Sequence, residues 1–543
     1  MLGFSFKEAR MEIKKQSFIK GAAILAAAGL ITKILGAIYR IPLGRIVGGE
    51  AMGYYGTAYS VYAWALTISA YAIPIAISKL TAEKFEMGRS DEAKRIFKVA
   101  LTFISIIGLF LSIALYVYAK DIANLLNNPG SYIAILFVVP SVFLFSITGA
   151  LRGYFQGMQN MMPSAVSQIF EQLGRVVFGF ALAIMLLPLG YQQAAGGAVA
   201  GTTVGGVISV IILVYIYFKY KSKREDKVET LNYRRESALS ILKRLIVFTI
   251  PITIGSSVMP IMGLLDSMII MDRLQAAGYS LETAVSMYGQ LTQMAMPFIN
   301  FPQILTISLA ASLVPAISES ITRRDYESAE KKSELAIRIS LIMGLPAAFG
   351  LYILADPIMT IAYPAETISV VSALKYLAPA VIFLTLVQTL TAVLQGMGKE
   401  KLPVFNLAVG AFVKIIVTYT LTSIPSINVR GAAIGTVAAY AIASILNLRA
   451  IIKYQKKSFN YRQMFGKPIL ATALMSFVAY FTYKYAFLFT DRKSISALLS
   501  MLLAVIIYAA VLILTKGITT EELQMAPGGR RLSRVLEKKK RLK

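Results

Sequence analysis

The chain contains no cysteine and no histidine in 543 residues. Without thiols there is no disulfide, no thiolate nucleophile and no thiolate metal ligand. Without imidazole the most frequent general base is gone. No G-x-x-x-x-G-K-[ST] run is present, which excludes nucleotide hydrolysis on a P-loop. Charge is scarce as well, at 15% of residues, against about 25% in an average soluble chain. Carboxylates are the scarcer sign, with 28 Asp and Glu against 55 Lys and Arg. These absences point away from an enzyme, and no metal site or cofactor is expected.

What is abundant is hydrocarbon. The chain is 57% hydrophobic, with a mean hydropathy of +0.65. Apolar runs of about 20 residues, enough to cross a bilayer core of about 30 Å, recur about fourteen times. They are predicted at Gly21–Tyr39, Tyr54–Ser78, Phe97–Ala119, Tyr132–Gly153, Ala165–Leu187, Gly196–Phe218 and Leu245–Met271, then at Ser286–Ser318, Ala336–Leu354, Ile368–Leu394, Val404–Leu421, Gly431–Ile452, Ile469–Phe489 and Ile495–Leu514. The runs are continuous rather than alternating. In lipid every backbone polar group must be satisfied internally, so they are helices. The fold class is an all-α polytopic membrane protein.

The net charge of +27 does not indicate nucleic acid. Lys and Arg collect in every second loop, including Lys219–Arg244, Arg449–Lys467 and the tail Arg530–Lys543. That is the signature of cytoplasmic loops beside anionic headgroups. Both termini are therefore expected on the cytoplasmic side of the membrane. The basic stretch Lys7–Lys20 precedes a full-length apolar run, which reads as a retained first helix and not a cleaved signal.

An internal repeat divides the chain. Tyr55-Gly56 matches Tyr288-Gly289, and Pro74–Ser78 resembles Pro315–Ser318. Leu115–Ala119 matches Leu351–Ala355, Gln156-Gly157-Met158 matches Gln395-Gly396-Met397, and Gly197–Thr202 matches Gly431–Thr436. The matches keep their order at an offset of about 235–240 residues, as an internal repeat requires. About six runs fall in each copy. An even number makes the copies parallel, the plan of carriers that bind substrate between two halves. The expected organisation is an N-terminal lobe over 1–220, a basic cytoplasmic linker over 221–244, a C-terminal lobe over 245–457, two extra helices over 458–517 and a basic tail over 518–543. Glycines such as Gly196-Gly197 and Gly205-Gly206 lie inside apolar runs and read as close helix packing.

Four segments carry a family resemblance: Lys33–Pro42 (KILGAIYRIP), Pro74–Lys79 (PIAISK), Arg152–Gly157 (RGYFQG) and Ser167–Arg175 (SQIFEQLGR). With its fourteen-span plan, the chain resembles the multidrug/oligosaccharidyl-lipid/polysaccharide (MOP) exporter superfamily, in the polysaccharide-biosynthesis branch of SpoVB and the MurJ-type lipid II flippases. The resemblance implies translocation of undecaprenyl-diphosphate-linked saccharides, lipid II or related, from inner to outer leaflet for peptidoglycan or polysaccharide biosynthesis. It also implies cell-wall synthases as partners. Coupling to H+ or Na+ stays open. So do two alternatives, a cation-coupled multidrug exporter of the same superfamily and a non-transporting scaffold for cell-wall synthesis. MurJ-type flippases carry further basic residues in the second and eighth spans; here Tyr54–Ser78 and Ser286–Ser318 have none.

Charge inside a span is expensive and marks function by default. Lys33, Arg40, Arg152, Arg175 and Lys414 are the candidate substrate-binding cations. Lys33 and Arg40 are seven apart, on one face of the first helix, and suit an anionic diphosphate better than a cation. The competing reading of Arg40 is snorkelling, beside a helix break expected at Pro42. Glu171 and Arg175, at i,i+4, are predicted to pair within one helix. Arg152 is either a gate or an inward snorkel. Asp266 either binds an ion or proton or pairs with a basic residue of the other half. Asp272-Arg273 reads as an interfacial pair. The eighth run is long and contains Pro297, Asn300 and Pro302, which predicts either a bent gate or a tilted helix.

Overall fold

The computed structural model describes residues 18–222, 236–366, 368–455, 465–515 and 517. Most of the linker predicted at 221–244 and the tail over 518–543 lie outside them. The described residues form helices, and no strand occurs among them. Among them, 11 helices are long and apolar enough to cross a membrane, with Leu309–Thr322 a shorter apolar helix. The protein is an all-α polytopic membrane protein. The eleven cover twelve of the predicted runs because Ala23–Glu86 merges the first two.

By its contacts the chain forms two compact units, one holding residues up to Tyr39 and Thr57–Leu264, the other Arg40–Gly56 and the chain from Leu265 on. The first unit is built on α1 (Phe18–Leu66), α2 (Ile73–Glu86), α3 (Ser90–Val117), the short α4 (Ala119–Leu125), α5 (Tyr132–Gly157), α6 (Met162–Leu186), α7 (Tyr191–Ser222) and the first two thirds of α8 (Ala238–Ala276). Its core joins Ile77 and Leu80 of α2, Ile96, Phe97 and Ile104 of α3, Tyr154 and Phe155 of α5, Leu213 of α7, and Ile241 and Leu245 of α8. The Phe97 and Tyr154 rings stack at 4.4 Å. Ile241 and Leu245 seat the start of α8 in this core.

The second unit holds α9 (Leu281–Gly289), α10 (Met296–Asn300), α11 (Gln303–Thr322), α12 (Tyr326–Ile353), α13 (Ala355–Ala362), α14 (Ile368–Leu377), α15 (Ala380–Gly396), α16 (Lys401–Thr422), α17 (Arg430–Gln455), α18 (Lys467–Thr490) and α19 (Lys493–Leu514). Its core uses Leu313 and Ile317 of α11, Ile337 and Leu341 of α12, Leu390 and Val393 of α15, and Ile451 of α17. The last two helices join each other where Ser500 donates to Ala479 O at 2.6 Å, and α19 joins α12 where Tyr508 donates to Ile342 O at 2.7 Å.

The repeat has a packing cause. A Cβ on Gly201 of α7 would lie 2.5 Å from Arg175 O of α6. The matching Gly435 of α17 sits against Thr418 and Lys414 of α16. Small residues at these positions let the helix backbones touch, which is how helices associate where lipid removes the hydrophobic drive.

Two expectations about helix breaks change. Pro42 lies inside α1 and does not end it; the break is at Gly48, with φ 80° and ψ 171°. Gly reaches positive φ at little cost, while a membrane helix retains an internal Pro by satisfying the freed carbonyl elsewhere. The eighth run is broken. It passes from α9 through a π-turn at Gln290–Ala295 into α10, then turns at Phe301-Pro302 before α11.

Candidate functional site

In the first unit a charged cluster ties three helices. Arg152 of α5 donates from Nε to Ser167 Oγ at 2.9 Å and from Nη2 to Glu171 Oε2 at 2.7 Å and Ser209 Oγ at 3.0 Å. Ser167 and Glu171 are one turn apart on α6, so a single guanidinium spans both. Ser209 brings in α7. Both charged side chains are largely buried. Arg152, expected as either a gate or an inward snorkel, is tied in this structure to α6 and α7. The pairing of Glu171 and Arg175 read from the i,i+4 spacing leaves out this third member, which comes from another helix.

Arg175, one turn beyond Glu171, points to two tyrosines. Its Nη2 lies 3.5 Å from the Tyr62 hydroxyl, and its guanidinium sits 6.0 Å from the Tyr59 ring centre. On α1, Tyr39 donates to Ala198 O at 3.3 Å, and Gly36 faces Gln172 of α6. Lys33 is three residues from Gly36, about one turn along the same side. It is exposed, and among the described residues it makes no hydrogen bond or ion pair. Away from their ends, the parts of α1, α5, α6 and α7 in this unit thus carry Lys33, Arg152 and Arg175 against the single carboxylate of Glu171.

The second unit is balanced differently. Lys414 of α16 pairs with Asp266 of α8. Asp266 was expected to bind an ion or to pair across the halves; its partner is within its own unit. Asp272 and Arg273 pair, with Nε to Oδ2 at 2.7 Å, and Arg273 also lies 4.2 Å from the Tyr419 ring centre. Arg40 and the Glu366 carboxylate both act electrostatically on the Tyr363 hydroxyl.

Glu366 is a residue that sequence reasoning missed. It accepts from Gly49 N at 2.6 Å and from Gln290 Nε2, whose Oε1 accepts from Ser369 Oγ. Gly49 follows the break at Gly48, so the carboxylate caps the amide that the break releases. A carboxylate is favoured at such a helix start. The Gly48-Gly49 doublet was the only signal available, and it names no partner. Among the described residues no group of three or more acidic side chains is arranged to hold a metal ion.

Comparison with known proteins places this architecture. The polysaccharide biosynthesis protein family matches residues 18–321, and the MatE family matches residues 251–420. Stage V sporulation protein B of Bacillus subtilis is 30% identical over 446 residues, 81% of this chain and 84% of that protein. The lipid II flippase MurJ of Bacillus subtilis is 25% identical over 476 residues, 84% of this chain and 86% of the relative. A solved structure of lipid II flippase MurJ in an inward closed conformation superposes with a TM-score of 0.68 at 17% identity, over 91% of this chain and 99% of that one. On a match that spans more than half its length, together with the sporulation relative, the chain belongs to the polysaccharide biosynthesis protein family.

Proposed function

We propose that this protein carries an undecaprenyl-diphosphate-linked cell-wall saccharide from the inner to the outer leaflet by alternating access. The observation that carries the reading is the charge excess in the interior of α1, α5, α6 and α7 within the first unit. Lys33, Arg152 and Arg175 outnumber Glu171. An excess of cationic charge in hydrocarbon is costly, and a diphosphate offsets it while its polyprenyl tail stays in lipid. The relatives support the class of cargo. A cation-coupled multidrug exporter is the second reading, favoured by the MatE match. Its natural coupling carboxylate, Asp266, is already held by Lys414.

Proteoliposomes carrying a labelled undecaprenyl-diphosphate saccharide, with a cationic dye in parallel, separate the two. Flipping of the lipid without dye export is expected; dye export alone overturns the proposal. The drive follows from charge. An inside-negative potential pushes an anion outward, by about 2.3 kcal/mol per net charge per 100 mV, roughly a fifty-fold bias. Collapsing the potential should slow outward flipping, and ATP should change nothing. Transport driven by a proton or sodium gradient at zero potential, and lost in Asp266→Asn, would identify an ion-coupled carrier instead.

The direction of transport requires an orientation. Lys219–Arg244, Thr322–Lys332 and both termini are expected in the cytoplasm, with Asn124–Ser131 and Ser423–Arg430 outside. The native chain has no cysteine, so single-cysteine labelling is clean. Labelling of Ser222→Cys by an impermeant reagent in intact cells would reverse the topology.

A further inference from the structure

Lys79 and Lys243 are among the lysines at the basic end of the first unit that its carboxylates leave uncompensated. Arg244 pairs with Glu83 at 2.8 Å and Glu236 at 3.3 Å, and Lys84 pairs with Glu92. Lys79 of α2 and Lys243 of α8 are exposed, and among the described residues neither makes a hydrogen bond or ion pair. The Lys79 ammonium is held 4.5 Å from the centre of the Phe248 ring. Such a cation–π contact steers a charge without neutralising it.

Farther along α2 and α8 from these lysines lies a groove of about 360 Å³. Ile73 of α2, Phe103 and Ile107 of α3, and Ile246, Ile250 and Ile254 of α8 line it. Thr249 is one of the two hydroxyl residues on the wall, and it donates to Leu245 O at 2.7 Å. The walls therefore offer a ligand almost nothing but hydrocarbon, so what enters is an alkyl chain. Ile73 is six residues from Lys79 on α2, about 9 Å along the axis. Ile246 is three residues from Lys243, about one turn on the same side of α8. A chain lying in the groove thus brings its polar end to the two ammonium groups.

We propose that this groove is a site for one anionic glycerophospholipid of the leaflet at the basic end of the unit, with an acyl chain between α3 and α8 and its phosphate at Lys79 and Lys243. Lipid is as apolar as the groove, so tail insertion alone selects nothing. Selection lies in the headgroup, at about fivefold per lysine. The bound chain fills space that protein side chains leave open between α3 and the part of α8 belonging to this unit. The site is separate from the cations proposed to bind cargo.

The single tryptophan reports on the site. Trp64 is one turn from Ile68, which also lines the groove. Full-length protein is reconstituted in phosphatidylcholine, and phosphatidylglycerol with brominated acyl chains is titrated in while Trp64 fluorescence is followed. Brominated phosphatidylcholine, titrated in the same way, is the comparison. Quenching should reach its midpoint at a mole fraction about twentyfold lower for the glycerol lipid. The Lys79→Gln/Lys243→Gln variant should bring the two curves together. Thr253→Phe, which fills the groove, should weaken quenching by both lipids. Coincident curves in the wild type, or unchanged selectivity in the double lysine variant, overturn the proposal and leave only annular lipid. None of these readouts involves transport, so their failure is distinct from failure of the flippase reading.

Discussion

Replacing Lys33 by Met is expected to reduce flipping about a hundredfold while leaving the protein inserted and abundant. Charge-assisted hydrogen bonds are worth about 1.5–3 kcal/mol each, and a hundredfold corresponds to about 2.7 kcal/mol. Stability should be spared for three reasons. Lys33 has no hydrogen-bond or ion-pair partner to strand among the described residues. Met and Lys have similar helix propensities. A thioether in a membrane helix removes a desolvation cost instead of adding one. Lys33→Arg should keep most of the rate, since charge and not side-chain shape is what a diphosphate requires. The check is flipping per reconstituted molecule, beside expression and melting of the same preparations. Normal transport by Lys33→Met removes the phosphate site from this face. Arg40→Ala makes an informative contrast. Arg40 acts on Tyr363, next to the Glu366 cap of Gly49, so its loss should lower both transport and stability.

That contrast shows what the sequence made legible. Runs such as Ile495–Leu514 announce themselves because lipid allows no alternative to a helix. The repeat is visible because Gly201 and Gly435 answer to the same steric demand at a helix–helix contact. Pairing partners are a different matter, since they depend on which helices become neighbours. Glu171 and Arg175 look like partners on one helix, but Arg152 enters from 19 residues away. Asp266 and Lys414 are 148 residues apart, and Gly49 and Glu366 are 317 apart. No local spacing encodes those distances. The break in α1 misled for a related reason. Pro42 is the stronger breaker in isolation, whereas the backbone turns at Gly48, where a carboxylate distant in sequence waits to cap the amide of Gly49.

The cluster of Arg152 and Glu171 should show the largest effect on stability, and an unequal one. Removing one partner of a buried ion pair leaves an uncompensated charge and costs about 3–5 kcal/mol. Glu171→Gln leaves Arg152 and Arg175 in the same helical sandwich with no carboxylate of their own unit's spans beside them. Arg152→Met leaves Glu171 one turn from Arg175, which offsets part of the loss. The glutamine variant should therefore be the less stable of the two, by thermal unfolding in detergent. The double variant Arg152→Met/Glu171→Gln removes both charges. It should recover most of the loss, because Ser167 already donates to Ser164 O at 2.9 Å and so keeps a partner. A double variant as unstable as Glu171→Gln alone would falsify the pairing as the source of stability. The recovered protein also decides what Arg152 is for. If its guanidinium only clamps α5, α6 and α7, the stable double variant flips lipid near the wild-type rate. If cargo phosphate draws Arg152 away from Glu171 during transport, the double variant folds, inserts and does not flip.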